Sequence, residues 1–211
     1  MTSEGTGPDD HPPEPEDQAR ADFYALLARL YAAAPDAALL AAIAAAGPLA
    51  PPVEGGDANA VASTWESLRL ASATADPAAL ADEFQALFIG VGKSEVSLYA
   101  SHYLGPQSGR PLAEIRAALA ELGLARRAEV SEFEDHLSVE LETMRMLVAG
   151  DSGRPPAPIA AQRAFCERYL LPWAFECCTA ISQSPVANYY GKVAQFCNSF
   201  LAIERDSFAI E

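Results

Sequence analysis

"EFEDHLSVELETMRML", residues 132–147, carries an apolar stripe at helical spacing, and that periodicity decides the fold class. Leu137, Leu141, Met144 and Val148 recur at steps of three and four, so a helix from Asp135 to Ala149 has one apolar side, and Gly150 follows as its C-terminal cap. The same spacing runs through the rest of the chain. Phe23, Leu26, Leu27, Leu30 and Tyr31 mark a first helix from Ala19, and a short second one follows Pro35-Asp36. A third covers about 57–74, and Asp76-Pro77 supplies an N-cap and a first-turn proline for a fourth through Phe88. Helices over Pro111 to Leu122, 159–170, 172–183 and 186–204 complete the chain, the last with a stripe at Val186, Tyr190, Val193, Cys197, Phe200 and Leu201. No segment of consequence alternates with period two, so the expected fold is all-α, a single-domain bundle of about eight to ten helices.

A chain of 211 residues is long enough for one well-buried core. Its 14 Lys and Arg against 29 Asp and Glu give a net charge of −15, which argues against nucleic acid or an anionic membrane surface as partner and favours a basic ligand. The same charge also keeps an alanine-rich surface soluble. The most apolar run, "AALLAAIAAA" (37–46), stops at Gly47-Pro48 before it is long enough to span a bilayer, and no basic region followed by an apolar run opens the chain. The expectation is a cytoplasmic protein without stable membrane insertion. Cys166, Cys177, Cys178 and Cys197 lie among apolar residues without paired C-x-x-C spacing and read as small hydrophobes in a reduced core.

Residues 1–18, dense in Pro, Asp and Glu, read as a disordered acidic tail, which leaves 19–211 as the helical domain. "GPLAPPVEGG" (47–56) is a loop. "DSGRPPAP" (151–158) is a hinge-like linker, and such a connection permits exchange of the last three helices between two copies, giving a monomer or a domain-swapped homodimer. The longest irregular stretch, 89–110, holds the rings of Tyr99, His102 and Tyr103, and irregular stretches of that length inside compact domains carry function.

Glu132, Glu134 and Asp135 crowd directly before His136, and Glu140 follows one helical turn later. Helix starting accounts for part of this: Asp135 reads as the N-cap, and early acids complement the helix dipole. It does not account for His136 or for all the acids, which leaves His136 and Glu140 together on the flank of the apolar stripe. A di-iron carboxylate centre needs Glu-x-x-His motifs from two helices, and the chain offers no such pair, so no metal is expected. Gly92-Lys93-Ser94 has the tail of a phosphate-binding loop, but Leu87 stands where its first glycine belongs and a helix precedes it instead of a strand. No G-x-S-x-G occurs, and no catalytic residue is assigned. The alternative is a small metal- or nucleotide-dependent enzyme using the His136 cluster or the Gly92-Lys93-Ser94 turn.

The 132–147 stretch resembles the E-P-x-D-H-L-x-x-E-L motif of the TorD/DmsD/NarJ-type chaperones, maturation factors of molybdenum-containing redox enzymes. "EFQALFIGVGKSEVSLYASHY" (83–103) is similar to that family's L-F-x-G segment and its aromatic-x-Ser-x-aromatic element, here Tyr99, Ser101 and Tyr103. "YLLPWAFECCTAISQSPVANYYGKVAQFCNSFLAIE" (169–204) is similar to its H-L-x-P-W and later F-Y segments through Leu170, Pro172, Trp173 and Tyr190. Phe133 departs from the family's usual proline, and Tyr169 from its usual histidine. The resemblance implies a TorD-like all-helical cytoplasmic chaperone, not an enzyme, that binds the twin-arginine signal peptide or N-terminal segment of a client catalytic subunit. It implies no cofactor beyond the weak guanine-nucleotide binding proposed for some members. It assigns peptide binding to Glu132, Asp135, His136, Glu140, Tyr99, Ser101, Tyr103 and Trp173, with carboxylates taking the guanidiniums and aromatic walls taking the apolar part.

Overall fold

The computed structural model describes residues 14–49, 57–90, 94–105, 111–124, 132–151 and 153–210, and among these the regular structure is helical apart from two isolated bridges. Helix α1 is Pro15–Ala32, so it starts inside the stretch expected to be a tail: Pro15 fits a first-turn position and Glu16 and Asp17 complement the N-terminal dipole. Residues 1–13 of that stretch lie outside the described residues, as do 50–56 of the expected loop. Asp36 caps α2 (Ala37–Ala45) by accepting from Leu39 N at 2.7 Å. Helix α3 is Asp57–Thr74 and α4 is Pro77–Phe84, capped by Asp76. A short α5 (Ala100–Leu104) and α6 (Pro111–Glu121) follow, then α7 (Leu137–Ala149), α8 (Ile159–Phe165), α9 (Leu171–Gln183) and α10 (Tyr189–Ile210).

Two of the long helical stretches widen where the sequence suggested uninterrupted helices. Beyond Phe84 the chain makes a π turn over Gln85–Ile89, closed by Gly90 at φ 62°, whose N–H reaches back to Gln85 O at 2.8 Å. A second π turn over Cys166–Leu170 joins α8 to α9, with Leu171 N donating to Cys166 O. The physical cause of the second lies in Pro172, which has no N–H to offer the preceding turn.

Helix α7 is the centre of the molecule. It lies along α1, and its stripe of Leu137, Leu141, Met144 and Val148 is buried, but so are Glu140, Thr143 and Leu147 on its other side. Helix α10 packs on α3 and α9, and α5 packs on α9. Tyr24, Tyr31, Trp173, Tyr190 and Phe196 fill the interior, and the four cysteines are buried and unpaired with one another. Glu83, from α4, caps α10 from outside it: its two carboxylate oxygens accept from the N–H groups of Asn188, Tyr189 and Tyr190 at 2.8, 3.2 and 2.8 Å. A carboxylate on three otherwise unbonded helix N–H groups ties the "EFQALF" segment to the last helix.

The connection after α7 is tethered. Gly150 takes φ 75°, and an added Cβ there would lie 2.5 Å from Arg154 O. Asp151 and Arg154 bridge each other, Arg154 donates to Leu122 O and Gly123 O at 2.9 and 2.6 Å, and Ala157 N donates to Leu147 O at 2.8 Å. Among the described residues no helix is long and apolar enough to cross a membrane.

Candidate functional site

The segment before α5 is laced to the segment before α7. Leu137 N donates to Leu98 O and Ala100 N to Asp135 O, each at 2.9 Å, which makes an antiparallel bridge between Tyr99 and His136. The lacing settles which residue caps α7. Asp135 is drawn sideways, with Oδ2 accepting from Ser101 N at 3.3 Å, so the N-cap is His136 and not Asp135 as the sequence suggested. Nδ1 of His136 accepts from Ser138 N at 3.2 Å, and Ser138 Oγ lies 2.7 Å away from the same nitrogen. An accepting Nδ1 leaves the proton of the neutral ring on Nε2. Burial holds the His136 pKa below its ordinary 6.5, against the opposing pull of Glu132 and Asp135.

A recess of about 190 Å³ opens where α5, α6, α7 and the π turn before α9 converge. Asp135 and Glu140 reach it from within, though they are only 3% and 1% exposed. Leu104, Ile115 and Pro172 give it apolar sides. Glu114 and Arg168 stand at its mouth, 3.5 Å apart, with the Arg168 guanidinium 5.6 Å over the Tyr169 ring. Both members of that ion pair are largely exposed, so it contributes little and is readily exchanged. Glu140 Oε2 accepts from Trp173 Nε1 at 3.0 Å. Burial, aided by the charge of Asp135, raises the Glu140 pKa well above its ordinary value, and the Trp173 hydrogen bond only partly offsets this.

The eight residues assigned from the sequence do gather, but in two layers. Tyr99, Glu132 and Ser101 are accessible: Tyr99 OH donates to Glu132 Oε2 at 2.6 Å, and the Tyr99 ring lies edge-on to His136 at 4.8 Å. Asp135, His136 and Glu140 form the layer beneath. Glu140 is therefore inside the fold and not on an exposed flank of α7, because both sides of that helix are covered. Trp173 is fully buried, so its reach to the surface is indirect: it holds Glu140 and stacks on Tyr103 with ring centroids 5.5 Å apart. Tyr103 in turn donates to Ser97 O at 2.8 Å.

Glu114, Arg168, Tyr169 and Phe133 were not among the assigned residues. Phe133 is 51% exposed beside Tyr99, with ring centroids 6.4 Å apart. The sequence signal beside Arg168 and Tyr169 is Pro172, which interrupts the helix next to the π turn that presents them. Nothing in the local pattern of α6 marks Glu114. Gly92 and Lys93 of the Gly92-Lys93-Ser94 turn lie outside the described residues, and among the described residues no three His, Cys, Asp or Glu side chains are grouped to hold a metal ion.

Fold and recess together define an all-helical protein with a carboxylate-lined pocket. Residues 54–179 match the family model for the nitrate reductase delta subunit, and the chain belongs to that family. It is 27% identical to the chaperone protein TorD of Aliivibrio salmonicida over 133 residues, which cover 59% of this chain and 62% of that one. It is 36% identical to the TorD of Photobacterium profundum and 35% identical to a perchlorate reductase assembly chaperone protein of Dechloromonas aromatica, each over 44% of this chain and 47% and 46% of theirs. The match thus spans about half to three fifths of the length of these relatives. A redox enzyme maturation protein from Archaeoglobus fulgidus shares the fold, with a TM-score of 0.57 at 17% identity, covering 93% of this chain and 99% of that one.

Proposed function

We propose that this protein is a non-enzymatic cytoplasmic chaperone that binds the twin-arginine signal peptide or N-terminal segment of a molybdenum-cofactor redox enzyme subunit and delays its export or assembly until the cofactor is in place. The observation that carries this reading is the recess: two buried carboxyl groups, Asp135 and Glu140, inside apolar sides, behind an exchangeable Glu114–Arg168 pair. That arrangement suits the planar, always-charged head of an arginine whose stem lies against apolar surface. One arginine of the pair enters the recess. The second meets Glu132 and the Tyr99 ring, and the apolar segment beyond lies on Tyr99 and Phe133. The names of the relatives support the choice of a redox enzyme as client.

Calorimetry with a twin-arginine peptide from a molybdenum enzyme, beside metal analysis of the purified protein, tests this. Saturable binding of one peptide per chain, without stoichiometric metal, is expected. Stoichiometric metal and no peptide binding would instead establish the metal-dependent enzyme.

Oligomeric exchange through 151–158 belongs to the same proposal. Swapping α8 to α10 has to release Arg154 from Leu122 and Gly123, so monomer and dimer interconvert slowly once formed. Light scattering across a wide range of concentration and pH is the measurement, and monomer throughout rules the exchange out.

A further inference from the structure

A cavity of about 570 Å³ lies away from the recess and shares no lining residue with it. It runs between the first turns of α1 and the last turns of α10, closed on one side by the start of α8. Its apolar lining includes Phe23, Phe200, Ile203 and Ile159, the last 40% exposed. Its polar rim is acidic, formed by Glu14, Glu16 and Asp17, with the buried Glu204 beneath them. Arg20 is the one cation lining it among the described residues, and its guanidinium is mostly committed: Nε and Nη2 donate to the two oxygens of Glu204 and Nη1 to Asp17, each at 2.8 Å, and Nη2 also donates to Gln162 Oε1 at 3.2 Å. An incoming anion meets carboxylates at the rim and a guanidinium already paired with Glu204 and Asp17. An incoming cation finds carboxylates beside apolar surface.

We infer that this groove is a second docking surface, for a basic amphipathic segment of a partner protein that lays apolar side chains against Phe23 and Ile203 and its Lys or Arg side chains toward Glu14 and Glu16. Charge selects this occupant over the alternatives. Residues 1–13, which precede Glu14 in the sequence, carry Glu4, Asp9 and Asp10, no Lys or Arg, and no large apolar side chain except Met1, so their composition complements neither the rim nor the floor. A second copy of the chain brings another −15 of net charge to an acidic rim. The buried Arg20–Glu204–Tyr24 cluster, with Tyr24 OH donating to Glu204 at 2.8 Å, fixes the spacing of α1 and α10 and so keeps the groove open without a ligand. Because groove and recess are separate, one partner carrying both segments gains from linkage, and two partners can bind together.

The test uses the full chain and a short helical peptide with leucines on one face and lysines on the other. Its controls are a scrambled peptide of the same composition and one with glutamates in place of the lysines. The double variant Glu16→Lys, Ile159→Asp changes two exposed side chains and should fold normally, as thermal unfolding will verify. It is expected to weaken the segregated peptide on the order of tenfold, while Asp135→Asn leaves that binding unchanged. Equal binding of the scrambled peptide, full affinity in the double variant, or displacement by a twin-arginine peptide would each overturn the proposal. A concentration-dependent dimer abolished by the double variant would assign the groove to a second copy instead. The probe peptide carries no twin-arginine motif, so this outcome is independent of whether the recess binds one.

Discussion

Asp135→Asn is expected to weaken a twin-arginine peptide by about 1–3 kcal/mol, roughly 5- to 150-fold, with little change in thermal stability. The carboxylate is 3% exposed, so an arginine that reaches it meets a partner already removed from water, where a charged hydrogen bond counts for more than at the surface. Asparagine keeps the size of the side chain and an oxygen to accept from Ser101 N, so the link between α5 and α7 survives the change. The backbone half of that link, Ala100 N to Asp135 O, is untouched. Raised salt should weaken the wild type more than the variant, because screening acts on an ion pair that the variant lacks. His136→Gln should cost less, since the ring caps α7 and supports Tyr99 from beneath and does not carry the charge. Affinities of both variants at low and high salt, with unfolding curves as control, decide the matter. Wild-type affinity in Asp135→Asn together with a melting point several degrees lower would reduce Asp135 to a strut between two segments.

The helices were legible because their stripes are long and their punctuation is chemical. Asp36, Asp76-Pro77, Gly123 and Gly150 mark ends that the structure reproduces within a few residues. Where the reading failed, a distant contact was responsible. Asp135 before an apolar run looks like an N-cap, and only the pairing of Tyr99 with His136, made across the fold, turns its side chain toward Ser101. The π turns have the same character: Pro172 announces an interruption, but a missing N–H does not say whether the helix kinks, breaks or widens. Glu83 is the clearest omission. Nothing within α4 shows that its carboxylate caps a helix that starts at Tyr189.

The candidate site was half visible for a related reason. Motif resemblance brought together the residues of two sequence segments, and they do meet, but it could not rank them by depth. Glu140 and Trp173 look like surface and wall in sequence, whereas packing of α7 against α1 on one side and against α8 and the π turn before α9 on the other buries them together. Glu114 comes from a helix with no motif and is placed at the recess by tertiary packing alone, whereas Arg168 lies just before the Leu170-Pro172-Trp173 motif.

Glu140→Gln is expected to stabilise the unliganded protein, increasingly so as pH rises. The polar and titratable groups around Glu140 are Asp135 and His136 before α7, the Trp173 indole and the Cys177 thiol from α9, and the Glu114–Arg168 pair with Tyr169 at the mouth of the recess. Of these only Trp173 gives it a hydrogen bond, and burial holds its carboxyl in the protonated form well above the ordinary 4.5. A carboxyl whose folded pKa is raised binds a proton in the native state that the unfolded chain has released. Its contribution to stability is therefore complete below about pH 4.5 and is lost as pH climbs through the folded value. The slope is at most about 1.4 kcal/mol per pH unit. His136 works the other way, since its lowered pKa removes stability as pH falls, but it is common to both proteins and cancels in the comparison. Glutamine keeps an oxygen for Trp173 Nε1 and never ionises. Urea unfolding of wild type and variant between about pH 5 and 8 should show a gap that widens with pH. A gap independent of pH would mean that Glu140 is ionised in the fold at an ordinary pKa. An arginine entering the recess reverses the balance, because a guanidinium beside Glu140 favours the carboxylate. Binding to the wild type should then release up to about one proton per peptide, read as a calorimetric heat that changes with the ionisation enthalpy of the buffer, and Glu140→Gln should abolish that release. Proton release identical in both proteins would place the arginine elsewhere than beside Glu140.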